Sequence, residues 1–221
     1  QDAWSQRMDH EHGHKVVVFG GSSCVFSING EQMLAQYGLP TVNRGLAAGM
    51  TVKIPTLNAM QDLKAGDTLI VAFEPGLFTT PIELTSLATQ FSYARGHSEW
   101  ATRTALGLAG SGRVSTLLDL RPGSRHALTL LGKIIQGREL YRYHIADASP
   151  SGWMRTAVRV PVSGPPGHGP RLSTDARRFL SALSDWCREQ GVRVAYSLPW
   201  GYAPSAQVAG FRKSNADLLT Q

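Results

Sequence analysis

VVVFGGSSCVFSING, residues Val16 to Gly30, decides how this chain is read. Three valines and Phe19 form an apolar run of strand length, rich in β-branched residues. It runs directly into Gly20-Gly21-Ser22-Ser23, and a second apolar pattern starts behind the serines. A buried strand that ends in two glycines and two serines suits three structures. One is a phosphate cradle, one is a raised nucleophile, and one is a tight turn that uses Gly and Ser for unusual backbone angles and helix capping.

The order of elements around this stretch points to a fold class. Glu31–Tyr37 reads as a short helix with Asn29 as N-cap, Gly38 past its end and Pro40 behind it. Thr41-Val42-Asn43 is a second strand leading into Arg44-Gly45. A helix is expected over Val52–Leu63, capped by Thr51, with Pro55 in its first turn. After the turn Lys64-Ala65-Gly66-Asp67, Thr68–Phe73 has the two-sided apolar pattern of a central parallel strand. Glu83–Tyr93, Ser98–Leu108 and His126–Ile135 are expected to be helical, and Pro161–Pro170 is a loop. From the N-cap Ser173, the residues Ala176, Phe179, Leu180, Leu183, Trp186 and Cys187 share one helical face. Gly191 ends that helix, Val192–Leu198 is a fourth strand stopped by Pro199, and Phe211–Leu219 is helical in character.

This alternation predicts an α/β fold with a doubly wound, mainly parallel sheet in a flavodoxin-like three-layer α/β/α arrangement. A long helical insertion separates strands 3 and 4. We expect one domain over 1–221, with 1–14 a polar lead-in and 84–171 a basic insertion. Ligands of such sheets sit beyond the carboxyl ends of the strands. The rim should therefore carry Gly20–Ser23, Arg44-Gly45, Glu74-Pro75-Gly76 and Pro199–Tyr202.

Composition narrows the partners. The 221 residues are 42% hydrophobic and 17% charged, which suits a folded globular chain. No apolar run approaches the roughly 18 residues of a membrane span, and no signal peptide is visible. Because the chain opens at Gln1 without Met, a processed or excised segment is expected. Net charge is +6. Residues 84–171 hold eleven basic residues and four acids, a net of +7, so the remainder is slightly acidic. A basic surface suits anionic partners such as acidic glycans, or is an ordinary solvated Arg-rich face. No zinc-finger spacing or aromatic RNA-binding strand accompanies it, so nucleic acid is not expected as a partner. Cys24 and Cys187 allow at most one bridge and are otherwise buried thiols. His10, His12 and His14 alternate next to Asp9 and Glu11. They could face a metal, or simply belong to the polar lead-in. No metal and no cofactor is expected.

The motif Gly20–Ser23 lacks the Lys of a Walker loop and the spacing of a dinucleotide fingerprint. A flavin- or phosphate-binding loop rich in serine stays open. The full constellation is more specific. Strand–GGSS…F-S-I, then V-N-R-G-L-A-A-G (Val42 to Gly49), then A-G-D before a strand ending in F-E-P (Phe73 to Pro75), resembles the SGNH (GDSL-like) hydrolase superfamily. Within it the sequence is similar to extracytoplasmic proteins of bacterial surface and exopolysaccharide modification. The resemblance covers residues 16–80 and, less closely, 173–202.

It implies that Ser22 is the nucleophile and that the N–H groups of Ser22 and Gly45 hold the oxyanion. Gly21 replaces the usual Asp, and Glu74-Pro75-Gly76 replaces the Gly-x-Asn-Asp that supplies a further donor. The superfamily's Asp-x-x-His base would fall beyond Gln221, and no His follows His168. A serine without a base is a weak nucleophile. His10 and His12 enter the amino end of the first strand, about 16 Å from its other end, whereas a base must lie within about 3 Å of its proton. Of His97, His126, His144 and His168 in the insertion, His144 is the candidate base.

Ser23, Arg44, Glu74, Trp200 and Tyr202 are candidate substrate contacts, the two aromatics by stacking on sugars. Glu74 could instead pair with Arg44. The expected activity is a serine esterase or O-acyltransferase on an acylated, anionic bacterial surface polysaccharide, working beside membrane-associated assembly proteins in the periplasm or at the cell surface, with an anchor outside this segment. The alternatives are a catalytically inactive glycan-binding or scaffold domain of the same architecture, and a flavodoxin-like nucleotide or phosphate binder.

Overall fold

A computed structural model describes residues 1–46, 52–78, 131–137, 145–155, 171–198 and 208–220. Its centre is a four-stranded parallel sheet in the order β2-β1-β3-β4. The strands are β1 (Val16–Gly20), β2 (Thr41–Asn43), β3 (Thr68–Ala72) and β4 (Arg193–Tyr196). Val16 stands opposite Thr41 on one side and Thr68 on the other, and Thr68 stands opposite Arg193. The chain steps from β1 outward to β2 and then returns to the far side of β1. That reversal places a topological switch point between the carboxyl ends of β1 and β3, where ligands of such sheets bind. The expected α/β class with a mainly parallel sheet is present.

The helices set around the sheet are α1 (Asp2–His12), α2 (Ser22–Ser27), α3 (Gly30–Tyr37), α4 (Lys53–Met60), α5 (Thr174–Glu189) and α6 (Val208–Leu219). Several boundaries follow the sequence signals. Asn29 caps α3 by accepting from the Gln32 N–H at 3.1 Å, and Gly38 closes it in the left-handed region. Ser173 caps α5 through the Ala176 N–H at 3.1 Å. Pro55 sits in the first turn of α4, where a missing N–H removes no helical bond. The helix α4 begins after Val52, and Thr51, the expected cap, lies outside the described residues.

The two faces of the sheet are unequal. Val17, Phe19, Val42, Leu69, Val71 and Phe73 form a large core with residues of α1, α4 and α5. Phe19 and Phe73 meet edge to face at 5.1 Å. The other face carries a small cluster of Val18, Ala72 and Cys24 of α2, flanked by Ile28 and Ile70.

The amino-terminal residues depart from expectation. They form the helix α1 instead of a polar lead-in. Trp4 and Met8, one turn apart, bury against the sheet, and the Trp4 indole donates to the Thr41 carbonyl at 2.9 Å. Arg7 and Glu11 pair across the exposed side, and Gly13 ends the helix with φ of 73°. Two buried apolar anchors were enough to offset a polar average, because helix packing depends on one face alone.

Behind α1 lies a buried ion cluster. The fully buried Lys15 ammonium bonds both oxygens of Asp9 at 2.8 Å and Asp67 at 3.2 Å. Asp67 also accepts from the backbone N–H groups of Lys15 and Lys64. Burial raises the Asp9 pKa, but hydrogen bonds from Lys15 and Lys64 outweigh it and hold the carboxyl below its ordinary value.

The insertion between β3 and β4 is described only in part. Residues 131–135 are helical. Residues 145–155 fold as a 3-10 turn (Ile145–Asp147) and a small antiparallel bridge between Ala148 and Met154. This segment seats against β2, where the Ser151 carbonyl accepts from the Asn43 N–H at 2.8 Å. The helices expected over 83–93 and 98–108 lie outside the described residues, as does the loop 161–170.

The single bridge allowed by the cysteine count is not formed. Cys24 and Cys187 are free, buried, and in the cores of opposite sheet faces. Burial, with the nearby Glu74 charge, pushes the Cys24 thiol up to about 12, and burial pushes Cys187 up to about 11. A thiol-reactive dye at pH 8 should therefore label neither cysteine in the folded protein and both in denaturant. Rapid labelling of the folded chain would contradict this packing.

Replacing Lys15 with Met leaves two carboxylates without their buried counter-charge. Urea unfolding should show a loss of about 3 kcal/mol. In the wild type, the Asp9 contribution is complete above the ordinary carboxylate pKa. It should fade as pH drops through the depressed folded value, below about pH 4.

Candidate functional site

The switch point is built from two glycines, two serines and one carboxylate. A Cβ on Gly20 would lie 2.0 Å from the Ala72 carbonyl oxygen and 2.7 Å from the Cys24 sulfur. A Cβ on Gly21 would lie 1.9 Å from Glu74 Oε2. At Gly20 the β3 backbone excludes a side chain, whereas at Gly21 it is the Glu74 carboxylate that stands in the way. Neither glycine has a positive φ, so close approach is the reason for both.

Glu74 follows β3 by two residues. Its Oε1 accepts from the Ser23 N–H at 3.1 Å and from the Ser23 hydroxyl at 2.7 Å. Its Oε2 is buried and has no hydrogen-bond partner among the described residues. The carboxylate thus occupies the head of α2, where backbone N–H groups favour negative charge. Ser22 is half-buried at the first position of α2, and its hydroxyl makes no hydrogen bond among the described residues.

The turn after β2 is committed elsewhere. The Gly45 N–H, expected to hold an oxyanion, donates to Asn43 Oδ1 at 2.8 Å. Gly45 is buried, and a Cβ there would strike Cys24 and the Val25 nitrogen. Asn43 is fully buried and uses its whole side chain, its Nδ2 donating to the Cys24 and Ile28 carbonyls at 2.8 Å each. The backbone N–H of Met154 and the indole of Trp153 reach the Val25 and Phe26 carbonyls. The C-terminal carbonyls of α2, which have no helical partner, are therefore satisfied by β2 and the insertion.

Arg44, expected as a substrate contact or as the partner of Glu74, turns inward. Its guanidinium is 2% exposed and pairs with Asp62 and, at 2.7 Å, with Asp2. Burial raises the Asp62 pKa against the pull of Arg44. The Gln1 side chain donates to the Asn43 carbonyl at 3.0 Å. Arg44 consequently ties the start of α1 to the residue after β2 and the end of α4. A charge paired in this way would have to leave two carboxylates to reach a ligand.

His10 and His12 end α1, and His14 precedes β1, at the amino edge of the sheet. No group of three metal-ligating side chains occurs among the described residues. His144, Trp200 and Tyr202 lie outside the described residues, as do His97, His126 and His168.

Two contributors escaped the sequence reading. Asn43 carried one signal, a short amide side chain ending a buried strand. Ser151 through Met154 carried none, because a contact 121 residues away in sequence, such as Ser151 to Gly30, has no local pattern.

The Gly21–Glu74 contact can be tested by a double-mutant cycle. Gly21→Ala should destabilise by about 1–3 kcal/mol, since the added methyl overpacks against the carboxylate. In a Glu74→Ala background the same change should cost little, giving a coupling of about 1 kcal/mol or more. Equal costs in both backgrounds would mean that Gly21 is needed for another reason.

Comparison with protein-family models, curated proteins and solved structures finds no match, so the chemistry of this site is read from its own groups.

Proposed function

We propose that this chain is an SGNH-like domain that binds an acylated, anionic surface polysaccharide outside the cytoplasm and does not cut it. The observation that carries the reading is the Glu74 carboxylate on the Ser23 N–H and hydroxyl. Acyl transfer from Ser22 would build negative charge beside the head of α2, where catalysis needs donors. A carboxylate is already there, and the Gly45 N–H is spent on Asn43. The same carboxylate weighs against a nucleotide or flavin phosphate at this loop. The basic balance of residues 84–171 supports an anionic polymer as the ligand.

A serine esterase or O-acyltransferase is the second reading. It is favoured by the Ser22 hydroxyl, which stands at the switch point without an acceptor among the described residues. In that case Ser22 Oγ attacks the acyl carbonyl and passes its proton to a base such as His144, which hands it to the sugar oxygen as the ester C–O bond breaks; water or a glycan hydroxyl then attacks the acyl-serine, its proton returning through the base to Ser22 Oγ.

Fluorophosphonate labelling read by intact mass, on wild type and Ser22→Ala, separates the two. We expect no adduct on either, together with retarded migration in gels containing an acetylated polyuronate. One adduct on wild type that Ser22→Ala abolishes would overturn the binding-only reading in favour of the esterase. Unretarded migration would overturn the polysaccharide ligand.

A further inference from the structure

The two edges of the sheet are finished differently. At the β2 edge, the alternation of a parallel ladder turns the backbone of Thr41 and Asn43 away from β1. That edge is covered: the Trp4 indole donates to the Thr41 carbonyl at 2.9 Å, the Gln1 amide to the Asn43 carbonyl at 3.0 Å, and the Asn43 N–H to the Ser151 carbonyl at 2.8 Å. The β4 edge has no such cover. The Arg193 and Ser197 N–H groups donate inward, to the Asp67 and Val71 carbonyls at 3.0 and 2.8 Å. Val194 and Tyr196 therefore turn their N–H and C=O groups outward, where none has a partner among the described residues. Arg193, Ala195 and Tyr196 are exposed. An open edge is a template for another strand unless charge, proline, a bulge or a covering segment blocks it. The strand Arg193–Tyr196 has one charge, on its first residue.

The pattern of this edge is complementary to itself. Set antiparallel about a two-fold axis at Ala195, two β4 strands place Val194 opposite the second copy's Tyr196, and Tyr196 opposite its Val194. Both are hydrogen-bonded pairs, so the outward groups of each strand satisfy those of the other. An axis at Val194 would instead need the Val192 N–H, which is already given to the Cys187 carbonyl at 2.8 Å. With the axis at Ala195, that residue meets itself in the non-hydrogen-bonded pair, where side chains come closest. It has the smallest side chain of the strand. Arg193 faces the second copy's Ser197, so no like charges stand opposite one another. Tyr196, 39% exposed, gains a β-branched neighbour across the joint. We infer that this chain associates through β4 with a second copy of itself, the two four-stranded sheets joining into one across an antiparallel Ala195–Ala195 pair. Because the joined strands run in opposite directions, the two Ser22–Glu74 rims face away from each other. The inference is independent of what those rims bind.

Sedimentation and cysteine crosslinking of the whole chain test the interface and its register. Wild type should be dimeric at about 0.1 mM and dissociate on dilution, as contacts at the small end of the interface range do. Ala195→Lys sets two ammonium groups against each other at the axis without touching the β3 ladder. It should sediment as a monomer and melt within a few degrees of wild type. Ala195→Cys places two thiols on Cα atoms about 4.5 Å apart, within the range of a disulfide. Mild oxidation should convert it to a covalent dimer, with Cys24 and Cys187 buried and uninvolved. Arg193→Cys should not crosslink, because the antiparallel offset separates its two copies by about 13 Å along the strands. A wild type that stays monomeric at the same concentration would overturn the inference and leave the edge to a strand of another protein. A dimer that survives Ala195→Lys, or crosslinking of Arg193→Cys in preference to Ala195→Cys, would overturn it as well.

Discussion

The register of β1 against β3 is the constraint on which the rest of the site depends, and it is fixed at the amino edge by Lys15 and Asp67. Asp67 accepts from the Lys15 N–H at 2.9 Å, and the Lys15 carbonyl accepts from the Thr68 N–H at 3.0 Å. The buried ammonium is added to these bonds, so any slip would strand a charge in the core. From that point five residue pairs climb the sheet to Gly20 opposite Ala72. Glu74, two residues further, then falls over Gly21 and Ser23. A one-residue slip would turn Phe19 and Val71 to the wrong face and move Glu74 off α2. An ion cluster at one end of the sheet thereby positions a carboxylate at the other.

What Glu74 does at the rim follows from its charge. A carboxylate on the N–H groups of a helix start is electrostatically favourable, so it stabilises the short α2, whose six residues could not hold a helix alone. The same favourable placement takes up the Ser23 N–H, a donor that an oxyanion or a phosphate at this turn would otherwise meet. Stability of the βα turn and anion binding compete for one set of donors. Asn43 repeats the pattern, since it anchors the far end of α2 and takes the Gly45 N–H in doing so.

Much of the fold was legible because its signals are local. The apolar run at Val16, the caps Asn29 and Ser173, and the apolar face from Ala176 to Cys187 each act within a few residues. The helix α1 was also written in the sequence, as Trp4 and Met8 one turn apart with Gly13 behind, but a polar average obscured two anchors. The candidate site was less legible. That the two glycines and serines lie on the rim follows from the strand order, whereas the partner of each polar group does not. Arg44 chose Asp62 and Asp2 over Glu74 because α1 and α4 deliver those carboxylates to it, and only the packed helices determine that. The docking of Ser151 on Gly30 and Asn43 has no periodic trace at all.

The unequal faces of the sheet bear on how such a domain could work. The large core with α1, α4 and α5 carries most of the burial, and a cavity lined by Phe73 opens on that side. The Ser22–Glu74 rim belongs to the thin face, whose core is Val18, Ala72 and Cys24. Phe73 and Glu74 are adjacent in the chain but face opposite layers, one flooring the cavity and the other capping α2. Alternation along the segment that follows β3 thus sends one side chain to each layer.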